Sequence, residues 1–334
     1  PLLPLLPLLP LLPLLPLLPL LPLLQFLNSH PTQSSSDNNN STTLLIMSPN
    51  VITNNGGPLL VFEPPATYLR HNANPGYWPK ESSIDWCEHN YVVSFFVAEF
   101  WNTLSNIGLV LLGLFGVWVA QRQGMEFRFV LCHLCSVVIG LGSAAFHGTL
   151  THIGQQGDET PMMLFCCVSL ICTVFLEPKT EKMWGGRVFP CACVCATVFA
   201  VAFAVLHYYQ RFVAVFQFFI AMCLVVTLNL LRPHQKACAN PSAHRLGLHY
   251  YLGSILVSWV LWTIDQHFCV HLHNMKTLPN PQFHAWWHFG CAVHMYSFAT
   301  FITYQRQVYL GKFPVLRYAL GVVPYVQNMP SKPK

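Results

Sequence analysis

From residue 100 onward, apolar residues gather into stretches of about 20, the length that carries a helix across the hydrocarbon core of a bilayer. Seven such stretches recur, near 100–120, 129–149, 161–176, 188–206, 212–231, 250–269 and 285–304, separated by short polar connections. The pattern predicts an all-α integral membrane protein, a bundle of seven transmembrane helices. The third stretch is short enough to need its polar flanks to complete a span.

The apolar run at the start of the chain reads differently. Residues 1–24 repeat Pro-Leu-Leu, and proline at every third position removes the amide donors that a helix needs inside lipid. This is low-complexity sequence rather than a span. It gives way to a Ser- and Asn-rich tract, 33–43, too polar to bury a core. Residues 1–70 are therefore expected to be a disordered extension, with Met47 as the start of the native protein. Residues 71–306 are expected to form the helical domain and 307–334 a cytosolic tail.

Composition supports the membrane reading. Of 334 residues, 53% are hydrophobic and only 9% charged, with mean hydropathy +0.44, against about 25% charged in soluble domains. The net charge of +5 is small and scattered, which argues against a nucleic-acid partner. The basic residues report orientation instead. Arg70, Lys80, Arg211 and Lys276 lie on connections that share the N-terminal side, and every other lysine and arginine lies opposite. By the positive-inside rule the C-terminus is cytosolic and the N-terminus lumenal or extracellular. Among 13 cysteines, Cys132 and Cys135 sit inside an apolar run and read as helix packing, not zinc ligands.

Ionisable side chains inside a membrane are costly, so each asks for a reason. Ser143 and His147 lie four apart at the end of the second stretch and share a helix face. Asp158 is expected to open the third span, and His284 and His288, again four apart, to open the seventh. In the alternating topology all five meet at one lumenal level. Three histidines with an open position describe a catalytic zinc site, where the metal lowers the pKa of bound water to about 7. A single histidine at a helix end is more often a packing residue, and His89, His133, His207, His249, His271, His273 and His294 are read that way. Five polar residues at a common depth outweigh that reading.

These segments resemble the alkaline ceramidase family. The resemblance is carried by Asp85-Trp86-Cys87-Glu88-His89-Asn90, by Ala98-Glu99-Phe100-Trp101-Asn102-Thr103-Leu104-Ser105-Asn106 and by Gly142-Ser143-Ala144-Ala145-Phe146-His147. Gly157-Asp158-Glu159-Thr160-Pro161-Met162 and His284-Ala285-Trp286-Trp287-His288 continue it, over about 76–306. It implies zinc on His147, His284 and His288, with Ser143 and Asp158 as catalytic residues beside the metal. It also implies a calcium ion held by Asp85, the Trp86 carbonyl, Glu88, Asn90 and Glu99, a set of hard oxygen donors suited to calcium. A disulfide between Cys87 and Cys269 and a supporting carboxylate at Asp265 follow from the same resemblance. The implied reaction is amide hydrolysis of ceramide drawn from the bilayer, giving sphingoid base and fatty acid. The implied location is the endoplasmic reticulum or Golgi, among membrane lipids and without an obligate protein partner.

Two rival classes stay open. Adiponectin-receptor-like proteins resemble the chain in the Ser-x-x-x-His, Asp and His-x-x-x-His pattern, but have the opposite orientation and lack the acidic segment. A non-enzymatic seven-helix receptor or transporter explains the span count alone and leaves the co-level polar residues without a reason.

Overall fold

Apolar runs become helices here because a helix satisfies its backbone hydrogen bonds within itself, the condition for a segment surrounded by lipid. The computed structural model describes residues 50–52, 59–61, 75–183, 187–274 and 280–330, all within one unit, Ser48–Lys334. Met47 and the repeat before it lie outside the described residues. Two three-residue strands, β1 (Asn50–Ile52) and β2 (Leu59–Val61), pair antiparallel.

Among the described residues, six helices are long and apolar enough to cross a membrane, so the chain is an integral membrane protein. They are α1 (Phe100–Arg122), α2 (Phe127–Thr149), α3 (His152–Val174), α4 (Val188–Gln210), α5 (Val213–Lys236) and α6 (Pro241–Asn274). The seventh expected span is a helix too, α7 (Phe283–Tyr309), but it carries too many polar groups to qualify by composition. Burial supplies the reason. From Ala292 to Gln307 nearly every α7 side chain is buried, Ser297, Thr300, Thr303, Gln305 and Arg306 included. A helix surrounded by protein has no lipid face to keep apolar. On α4, by contrast, only Ala200 and His207 are buried, and the sequence is almost wholly apolar.

Local sequence sets the helix ends. α1 is built from Phe100–Ser105 and Ile107–Arg122, joined at Asn106, whose Nδ2 donates to the Asn102 carbonyl at 2.9 Å. α2 ends with Leu150 in the left-handed region, φ 49°. α3 then starts at His152, capped by Thr151, whose hydroxyl accepts from Gly154 N. That start lies nine residues before the apolar stretch begins, so Asp158 sits inside α3 rather than opening it. Asn240 caps α6, accepting from Ser242 N and Ala243 N, with Pro241 in the first turn where its missing donor costs nothing. A π-helical stretch, Leu246–Gly253, follows within α6.

The segment expected to be a tail is partly folded. After α7, β3 (Phe313–Ala319) and β4 (Val323–Met329) form an antiparallel hairpin, with Leu316 opposite Val326, and Gly321 takes φ 74° at its turn. The hairpin packs on the bundle. Tyr296 Oη donates to the Pro324 carbonyl at 2.7 Å, and Asn328 Nδ2 to Gln307 Oε1 at 3.1 Å.

Candidate metal centre

Backbone proximity brings the second and third helices into register. A Cβ on Gly142 would sit 1.9 Å from the Gly157 carbonyl oxygen, so only glycine permits this approach. Pro161 cannot donate back to that carbonyl. The approach sets Ser143 on α2 beside Asp158 on α3. A second close approach seats α7 on α6, where a Cβ on Gly290 would overlap the Ser258 hydroxyl at 1.6 Å.

The three expected histidines converge. Ligand atoms of His147, His284 and His288 all lie within 4.8 Å of one another, and all three residues are buried. His147 Nε2 and His284 Nδ1 are buried with no hydrogen-bond partner, and His288 Nε2 lies 3.4 Å from Ser143 Oγ. Unsatisfied buried nitrogens carry a desolvation cost of about 1–3 kcal/mol each. Pointed at a common centre, they form a site that can hold a metal ion.

Each ring is also fixed from behind. The Glu99 carboxylate hydrogen-bonds His147 Nδ1, which leaves Nε2 free to face the centre. Ser105 Oγ lies 2.7 Å from His288 Nδ1, and the Trp86 indole stacks on His284 with centroids 3.6 Å apart and planes 18° apart. Partners of this kind set the tautomer and orientation of metal-binding imidazoles. The ring support comes from α1 and the segment before it, so the first helix is part of the site.

The acidic residues sit directly above this shell. Asp85, Glu88, Asn90 and Glu99 are all buried. Glu88 caps α1, its two oxygens accepting from Trp101 N at 2.7 Å and Asn102 N at 2.8 Å. Glu99 accepts from Trp86 N at 3.0 Å and Asn102 Nδ2 at 3.2 Å as well as holding His147. Asp85 accepts from Lys80 Nζ at 2.5 Å and Asn90 Nδ2 at 3.2 Å. Among the described residues these carboxylates do not form a grouping as tight as the histidine triad, and the amides of α1 hold Glu88. Burial raises the Glu88 carboxyl above the usual range, opposed by those amides, and raises Glu99 well above it, with the negative charge of Asp85 adding to the effect.

A disulfide joins Cys87 to Cys269, with Cα atoms 5.3 Å apart, and ties this segment to α6. Asp265, for which the spacing of residues offers no role, accepts from Cys87 N at 3.1 Å and from His284 N at 3.2 Å. One carboxylate thus links the acidic segment to the start of α7. Asn280 adds a second tie, donating to the Cys87 carbonyl at 2.8 Å. His273 lies near both sulfurs, but thiols spent in a disulfide offer no thiolate to a metal.

Among the histidines read as packing, His207 differs. Its Nε2 hydrogen-bonds the buried carboxylate of Glu159, next in sequence to Asp158, and fastens α4 to α3. The Asp158-Glu159 pair was visible in sequence. Its partner on another helix was not.

Residues 78–327 match the family model described as Ceramidase. This chain belongs to the ceramidase family. The family match extends into the hairpin, beyond the stretch over which motifs alone show the resemblance. Alkaline ceramidase 3 of Mus musculus is 34% identical over 265 residues, covering 77% of this chain and 96% of its own length. Alkaline ceramidase of Arabidopsis thaliana is also 34% identical, over 260 residues with the same coverage. Alkaline ceramidase YPC1 of Saccharomyces cerevisiae is 28% identical over 302 residues, covering 76% of this chain and 93% of its own. As a ceramidase, the chain has its motif-bearing residues on α1, α2, α3, α7 and the segment 85–90 before α1, which together surround the histidine centre.

Proposed function

We propose that this ceramidase hydrolyses the amide bond of ceramide, releasing a sphingoid base and a free fatty acid, at a zinc centre held by His147, His284 and His288. The observation that carries the reading is the convergence of buried, unpartnered His147 Nε2 and His284 Nδ1 beside Ser143 and Asp158 in a membrane-embedded member of this family. Three neutral imidazoles are the donor set of a catalytic zinc. The bound metal supplies acidified water and polarises the carbonyl.

The protein side chains divide the remaining work. Asp158 is hydrogen-bonded to Ser143, whose hydroxyl lies 3.4 Å from His288 Nε2, so its carboxyl sits beside the centre. It accepts the proton released on attack and returns it to the leaving amine. The Ser143 hydroxyl donates to the oxygen on which negative charge develops. Substrate arrives from the bilayer, whose acyl region the exposed apolar faces of α4 and α5 match.

The acidic segment is read as a calcium site formed by Asp85, the Trp86 carbonyl, Glu88, Asn90 and Glu99. Buried oxygen donors carrying like charge suit that ion. Calcium acts by fixing α1, and with it Glu99 and Ser105, behind the histidines. α7 is the seventh span. The orientation places the metal centre on the lumenal side, in the endoplasmic reticulum or Golgi.

Purified protein assayed for bound metal and for hydrolysis of a ceramide panel tests the chemistry; one zinc per chain and fatty-acid release are expected. Protein that holds no zinc, or that leaves every ceramide intact, would sink the reading. A C-terminal tag should be cleaved by protease outside sealed microsomes; its protection would invert the orientation.

A further inference from the structure

Three buried carboxylates, those of Asp85, Glu88 and Glu99, lie close enough to affect one another. Among the described residues, the cation paired with this group is Lys80, whose Nζ lies 2.5 Å from Asp85 Oδ2. The lysine side chain is 33% exposed and the aspartate 1%. Its ammonium therefore reaches inward from solvent onto an oxygen assigned to calcium.

The root of this lysine is held firmly. Glu81 N and Ser82 N both donate to the Leu150 carbonyl, at 3.0 and 2.9 Å, where α2 ends. Ser83 N donates to Gln155 Oε1 at 2.8 Å on α3, and Arg211 Nη1 to the Glu81 carbonyl at 3.1 Å. The backbone of 81–83 is thus tied to the α2–α3 corner, and the flexible lysine stem spans the short gap to Asp85.

We infer that Lys80 is a built-in cation of the acidic segment, which holds Asp85 when calcium is absent and must withdraw to solvent when calcium binds. The inference rests on the calcium reading above. Calcium bonds carboxylate oxygens at about 2.3–2.6 Å, so an ammonium and the ion on one oxygen would lie within contact range and repel strongly. The lysine keeps the metal-free segment folded by offsetting part of its negative charge. It also weakens calcium affinity, so the site fills only above a threshold concentration.

The test compares wild type, Lys80→Met and Lys80→Arg in detergent, melted with chelator and across a calcium titration. Lys80→Met should melt lower than wild type in chelator yet bind calcium about threefold to tenfold more tightly, and Lys80→Arg should follow wild type. In wild-type protein, labelling of Lys80 by an amine-reactive reagent, read by mass spectrometry, should accelerate when calcium is added. If calcium raises the wild-type melting temperature while Lys80 labelling stays unchanged and Lys80→Met binds no more tightly, Lys80 is not a competitor and the calcium reading stands. If calcium changes melting in none of the three proteins and leaves Lys80 labelling in wild type unchanged, the calcium reading fails and this inference falls with it.

Discussion

Near the Ser143–Asp158 corner of α2 and α3, carboxylate gathers with carboxylate; at the opposite end of the bundle Glu126 and Glu181 are matched by arginine. There Arg306 Nε meets Glu126 Oε1 at 2.7 Å and its Nη2 meets Glu181 Oε2 at 3.1 Å. Arg128 Nη2 pairs with Glu126 and, at 2.8 Å, with Glu181. Arg306 Nη1 also donates to the Leu176 carbonyl and Arg128 Nη1 to the Phe175 carbonyl, both at 3.1 Å. This network closes on itself and holds the ends of α2, α3 and α7 together. Among the described residues the histidine end is built differently: buried carboxylates lie beside one another, with Lys80 on Asp85, and the histidines turn ring nitrogens toward one another. A self-neutralising cluster is a structural clamp, whereas buried histidine nitrogens left unpartnered at one centre can take a cation.

Breaking each end should give a different signature. The largest loss of function is expected from His288→Ala, which removes one of three ligands. Hydrolysis should fall by more than about a thousandfold, with zinc lost from the purified protein and membrane insertion unchanged. Wild-type turnover with bound zinc in that variant would exclude the metal centre. At the other end, Arg306→Met leaves Glu126 and Glu181, each about a third exposed, to Arg128, so stability should drop by about 1–3 kcal/mol. Thermal melting in detergent reads this, and the protein that stays folded should keep its zinc. An undiminished melting temperature would show that the network is not a clamp.

Glu99→Gln sharpens the comparison because Glu99 belongs to both the acidic group and the histidine support. Activity should fall by about 10–100-fold, the usual effect of losing a partner behind a metal-binding histidine, and the response to calcium should weaken. Full activity with an unaltered calcium titration would separate the two groups.

The smallest effect is a pH dependence confined to the metal end. Burial raises the carboxyls of Glu88 and Glu99 above 4.5, so ionising them costs the folded state. Without calcium, stability should fall as pH climbs from 4.5 through their raised values. Calcium binds the ionised carboxylates, so the melting-temperature gain it brings should be least near that lower bound and grow toward alkaline pH. A gain independent of pH would mean that these carboxylates do not receive the ion.

Much of the site was legible in sequence because its residue types are unusual in a membrane chain. Ser143, His147, His284 and His288 stand out from apolar neighbours at helical spacing, and the geometry groups the histidines at one centre. Other features were hidden for physical reasons. The first turns of α3, His152 to Asp158, are polar because they pack beneath the N-terminal segment, so an apolar pattern starts the helix too late. Strand alternation in 313–329 is weak, and the hairpin depends on partners such as Tyr296 and Gln307 that are close only after α7 is in place.

The sequence alone determined that the chain enters a membrane, which polar residues share a helix face, and where its helices roughly lie, because these depend on composition and on periodicity along a single segment. The tertiary structure decided which partner each group meets: Glu99 with His147, Ser105 with His288, Trp86 on His284, Asp265 between Cys87 and His284, Arg306 between two glutamates. It also decided that α7, among the more polar long helices, lies at the centre, while the almost wholly apolar α4 lies at the edge. Hydropathy measures how well a segment suits lipid, and the helix surrounded by other helices is the one released from that demand.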